Sequence, residues 1–159
     1  MFKAFSRAAI ACALLVAVIF SGVAHAHGRA QTQAATSIAW RDSVPAKGAA
    51  AVLSIAARFL GQSDPTHIGA PWCASFVNFV LRQAGYHPHG SLMAIDALRD
   101  GQRVSTPQPG DLAVMRGHIT FFAGYAGPGR FVGLGGNQGH RVKYSQFAIR
   151  RVVAWVRPT

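Results

Sequence analysis

The stretch Pro71-Trp72-Cys73-Ala74-Ser75-Phe76-Val77-Asn78-Phe79-Val80-Leu81 decides the fold. Cys73, Phe76, Val77, Val80, Leu81 and Ala84 recur at i, i+3, i+4, i+7, i+8 and i+11, which is one apolar stripe along a helix; Ser75, Asn78 and Arg82 lie on another side. Pro71 suits a first helical position because it has no N–H to leave unpaired, and Gly85 suits a C-terminal cap. Cys73 then falls in the first turn, where unpaired backbone N–H groups and the positive end of the helix dipole favour an anion. A thiol placed there has two readings, a small core residue or a nucleophile with backbone donors at hand.

The rest of the chain bears on that choice. Residues 1–7 carry Lys3 and Arg7, residues 8–24 are nearly all apolar, and Ala24-His25-Ala26 has the small-x-small pattern of a signal-peptidase site. Residues 1–26 are therefore expected to be a cleaved signal peptide, which implies a secreted or periplasmic protein. An uncleaved membrane anchor is the alternative, and it would be the chain's one association with a membrane. Cys12 leaves with the signal, so Cys73 remains as a single thiol in an oxidising compartment, where it needs deep burial or a use.

The charge is one-sided: sixteen Lys plus Arg face five acidic residues, all Asp, for a formal +11. Such a surface steers toward polyanions, whether nucleic acid, lipid headgroups or an acidic cell wall. Export argues against nucleic acid, and no run of basic residues is longer than Arg150-Arg151.

Residues 27–48, rich in Ala, Gln, Thr and Ser, read as a flexible lead-in to a single domain spanning 49–159. Within it the periodicity predicts helices over 49–60, from Pro71 to Ala84, and over 91–100 with Ser91 as N-cap and Gly101 as stop. The turn Thr106-Pro107-Gln108-Pro109-Gly110 marks a change of period. Strands are expected over 111–115, 118–125, 131–136, 141–145 and 152–156, which makes the chain α+β, with N-terminal helices packed on an antiparallel sheet. Gly133, Gly135 and Gly136 are expected to leave one rim of that sheet open to a bulky substrate.

A thiol nucleophile needs a base, and the base needs a third group to fix its tautomer. His118 opens the strand 118–125, and pairing with 131–136 across the 126–130 turn brings Asn137 back beside it. A helix start carrying Cys73 and packed on this sheet would set sulfur and imidazole within reach. Asp111 is the other candidate for orienting His118, although it reads as turn chemistry. His67, His87, His89 and His140 read as surface residues; the His87/His89 pair lacks further ligands for a metal, and no metal or other cofactor is expected.

Three segments together carry a family resemblance: Trp72-Cys73-Ala74-x-Phe76-Val77; Gly110-Asp111-Leu112 leading into Gly117-His118-Ile119-x-Phe121-x-x-Gly124; and Gly133-Leu134-Gly135-Gly136-Asn137-Gln138. Over residues 49–158 this pattern resembles the CHAP and NlpC-type cysteine amidohydrolases that act on bacterial cell walls. The resemblance implies a papain-like fold and hydrolysis of an amide in the peptide part of peptidoglycan. It also implies Cys73 as nucleophile, His118 as general base and Asn137 as the residue orienting it. Such a protein would act as a monomer on peptidoglycan, with a protein activator or inhibitor as a further partner. The competing readings are a non-catalytic module that binds wall peptides or a partner through the same groove, and a toxin-type amidase or acyltransferase.

Overall fold

Helical spacing in the first half and alternation in the second produce a helical layer on one face of a sheet. The computed structural model of the protein describes residues 48–69 and 71–159. The expected signal peptide, and all of the lead-in except Gly48, lie outside the described residues. Helix α1 spans Ala49–Ala57. Past Ala57 the chain tightens, with Arg58, Phe59 and Leu60 donating to carbonyls three residues back, before Gly61 turns it away. Helix α2 spans Cys73–Gln83. Its stop is set by chemistry already visible in sequence: Gly85 takes φ 80°, and the N–H groups of Gly85 and Tyr86 bond the carbonyls of Arg82 and Leu81 at 3.1 and 2.9 Å. These are the two bonds of a Schellman ending.

The third helix is shorter than expected. Ala94–Arg99 forms a 3-10 turn, because the Ser91 hydroxyl closes a local turn instead of capping a helix: it accepts from the Met93 N–H at 3.1 Å and donates to Asp96 Oδ2 at 2.7 Å. Gly101, expected as a stop, instead begins strand β1, Gly101–Val104. The strands β2 (Leu112–Met115), β3 (His118–Tyr125), β4 (Arg130–Gly135), β5 (Lys143–Ala148) and β6 (Val152–Pro158) follow, with a 3-10 turn at Ile149–Arg151 before the last. The six strands form one sheet in the order β1-β6-β2-β3-β4-β5, and every pair is antiparallel. The protein is thus α+β, as the change of period implies.

Both faces of the sheet are apolar. One, with Leu112, Val114, Ile119, Phe121, Leu134 and Val156, shares a core with α1 and α2. The other gathers Ala113, Met115, Phe122 and Phe131 beneath Phe147, Ile149, Val152 and Trp155. Among the described residues no helix is long and apolar enough to cross a membrane.

Asp111 is fully buried where the 106–110 turn enters β2. Its carboxylate accepts from Arg157 Nε at 3.1 Å and Nη2 at 2.9 Å, and from the Gln108 N–H at 2.7 Å. That forked pair ties the turn to β6. Removing the carboxylate strands two charged donors and a backbone N–H, while Arg157 is exposed enough to be hydrated. Asp111→Ala is therefore expected to destabilise the protein by roughly 2–4 kcal/mol, read as a lower urea midpoint with an unchanged slope.

Candidate active site

Cys73 is the first residue of α2, with Trp72 as the N-cap and Pro71 one position outside the helix. The Phe76 N–H bonds the Trp72 carbonyl at 3.1 Å, the first bond of the helix. No side chain caps this end and no acidic residue lies in the first turn. Cys73 forms no disulfide and is buried. Ser75 and Asn78 are buried as well, although both lie off the apolar stripe. Asn78 donates to the Ser91 carbonyl at 2.9 Å. Ser75 contacts Thr66 Oγ1 at 2.9 Å and lies 3.0 Å from the Trp72 carbonyl, and Thr66 donates to Asp64 Oδ1 at 2.6 Å. Asp64 also accepts from the Gly69 N–H at 2.8 Å. Burial pushes its carboxyl up, but these donors outweigh it and hold the group below the ordinary range. The loop before Cys73 is thereby tied to the first turn of α2.

The helix start rests on the end of β4. A Cβ on Gly136 would strike the Trp72 ring and come within 2.7 Å of Phe76 Cβ, so this contact requires glycine. The expectation of an open rim at the glycines is overturned in the same way. A Cβ on Gly133 would meet Thr120 and Phe147, and one on Gly135 would meet Thr120 and Gln138. The glycines are needed for close packing, and their neighbours fill the space.

Asn137 follows directly, at φ 55°, a left-handed conformation that Asn tolerates better than most residues. The β3–β4 pairing is recorded as far as Phe121↔Leu134, and Asn137 lies beyond the end of β4. Gln138, which sequence reasoning passed over, fixes this corner. Its carbonyl accepts from the Gly135 N–H and Thr120 hydroxyl, both at 2.9 Å, and its NH2 donates to Ser145 Oγ at 2.6 Å and the Lys143 carbonyl at 3.3 Å. A polar residue beside two glycines carried no periodic signal.

The segment bearing Cys73 therefore packs against the one bearing Asn137, but no hydrogen bond joins the side chains of Cys73, His118 and Asn137. Ile119 and Phe121 face α2. The His118 ring instead lies 5.5 Å from the Phe147 ring, on the other face, and its Nε2 is buried without a hydrogen bond. Burial, and then the nearby Arg151 charge, lower its pKa from 6.5 to about 4. Asp111 is committed to Arg157 and Gln108 and does not orient the ring. His67, His87, His89 and His140 are exposed. Among the described residues no group of three or more His, Cys, Asp or Glu is placed to hold a metal.

No model of a known protein family matches the chain, and no curated protein matches it.

Two outcomes follow. Gly136→Ala is expected to cost about 1–3 kcal/mol by overpacking, seen in thermal unfolding. His118 is neutral in the fold down to about pH 4, whereas the unfolded chain protonates it near 6.5. The unfolded state therefore binds more protons between those values, and stability falls as pH drops through that window, by up to about 3 kcal/mol. Replacing His118 by Phe is expected to flatten that part of the stability-against-pH curve; an identical slope in the variant would contradict the assignment.

Proposed function

We propose that the protein is a cysteine hydrolase of papain-like fold that cleaves an amide in the peptide part of peptidoglycan. Cys73 is the nucleophile, His118 the general base and Asn137 the residue that orients the imidazole. The observation that supports this reading is the seat of the uncapped α2 start on Gly136, which sets the segment bearing Cys73 against the one bearing Asn137. The three-part sequence pattern supports the same assignment. Export through residues 1–26 would deliver the enzyme to the wall, where an activator or inhibitor protein is the further partner.

In this mechanism His118 takes the Cys73 proton as sulfur attacks the amide carbonyl carbon. The first-turn N–H groups of α2 stabilise the oxyanion, imidazolium protonates the leaving amine, and water hydrolyses the thioester. His118 is the first residue of β3, so for its ring to reach the sulfur it must leave Phe147 and the strand end must turn it to the face that α2 covers. Leaving Phe147 also brings the ring out of the burial that depresses its basicity.

The ring's present position favours a second reading, a non-catalytic module that binds wall peptides at the same corner. The two readings separate on a purified-sacculus assay. A hydrolase releases soluble fragments, whose masses identify the bond cut, and Cys73→Ala is expected to lower release by at least a thousandfold while shifting the unfolding midpoint little. Iodoacetamide is expected to alkylate Cys73 in the folded protein at neutral pH. Binding to sacculi without release by either form, together with alkylation only on unfolding, would establish the binding module instead.

A further inference from the structure

Arg116, Arg150, Arg151, Val152 and Val153 line an open concavity of about 280 Å3. Its walls come from the Arg116-Gly117 turn between β2 and β3 and from the 3-10 turn Ile149–Arg151 before β6. The β2–β6 register brings them together. Val114 faces Ala154, but Met115 faces Val152, leaving Val153 as an extra residue. An extra residue of this kind bends a strand and re-aims its neighbours, and Val153 is turned outward with 48% of its surface exposed.

Three arginines therefore line one concavity with no acidic neighbour in the lining. Among the described residues the only ion pair is Arg157 with Asp111. The other described aspartates are occupied elsewhere: Asp64 by Thr66 and Gly69, Asp96 by Ser91, Asp100 by the His89 N–H. Arg151 is held in place by Phe147, its guanidinium carbon 5.8 Å from the ring centre. Gathering like charges costs energy that an anion between them recovers, and the planar fork of Arg suits a group presenting several oxygens.

We propose that this concavity binds a phosphate group, either on a small molecule or as a phosphodiester unit of a polyanionic chain. Three separate forks suit a tetrahedral anion with oxygens on every side, and the volume leaves space for the moiety that carries it. The site is distinct from Cys73 and does not depend on the hydrolase reading. It is nonetheless adjacent to His118, whose imidazole is held low by burial and also by the Arg151 charge, so an anion seated there offsets one of those two influences.

The test is thermal unfolding of the whole protein titrated with sodium phosphate, with sodium chloride of matched ionic strength, and with a glycerol-phosphate oligomer. A saturable rise in midpoint is expected with phosphate or the oligomer and not with chloride. The apparent affinity is expected to fall at least tenfold in Arg150→Ala/Arg151→Ala and several-fold in Arg116→Gln; all three arginines are exposed, so these variants should fold. Tighter binding of the oligomer per phosphate group identifies a polymer chain as the source, and equal or weaker binding identifies a small phosphorylated ligand. No saturable rise with either anion, or an equal rise in the variants, overturns the proposal.

Discussion

The start of α2 rests on Gly136, a residue without a side chain directly after β4, and the placement of the candidate site follows from that contact. With Gly136 against Trp72 and Phe76, the helix can approach the sheet only at this level along β4. It cannot slide away, because Phe76, Val77, Val80 and Leu81 behind it are fully buried, and moving them would open cavities in a close-packed interior. Beside this point the Gln138 amide bonds to Thr120, Gly135 and Ser145 across three strands. The start of α2 and the corner that holds Asn137 and Gln138 are thus fixed by backbone packing.

Because the sheet is apolar on both faces, a side chain at its end can enter either core. His118 enters the one remote from α2. There the imidazole meets Phe147 and the field of Arg151, both of which disfavour the charged form. A general base works best with a pKa near the working pH, so this placement suits a neutral resting ring better than an active one. Geometry and electrostatics agree here: the same movement that would bring the ring to sulfur would take it out of the environment that suppresses its protonation.

The amphipathic period and the glycine stop located α2 closely, since burial of one stripe and a left-handed terminal residue are local requirements. Four of the five expected strands were equally legible, as short apolar runs between turn residues, which is how strands covered on both faces read. Strand β1 was not, because Gly101-Gln102-Arg103-Val104 is a half-exposed edge that needs only a backbone partner. The fourth expected strand lay two or three residues early, at 141–145, because β5 is largely exposed and its register is set by pairing with β4. The roles of Gly133, Gly135 and Gly136 escaped for a different reason. Glycine signals either open space or a close neighbour, and only the packed neighbours, Thr120, Gln138, Trp72 and Phe76, tell which. The side on which His118 lies was undecidable for the same cause, since apolar residues alternate on both faces of β3.

Charge follows the same division between local and non-local information. In sequence the basic residues are scattered and suggest a diffuse field. Folding spends several of them internally: Arg157 on Asp111, Arg141 on the Gly61 carbonyl at 2.7 Å, Arg130 on the Gln146 amide at 3.2 Å. Four of the five acidic residues are consumed by turns, loops and that one ion pair, so a chain of formal charge +11 cannot neutralise itself. The β6 bulge sets Arg150 and Arg151 in one concavity with Arg116, more than thirty positions away in the chain, and no acidic residue lines it to offset them. An external anion would gain there because the strand pairing that sets the backbones carrying the three arginines is part of the fold, so binding need order only their side chains.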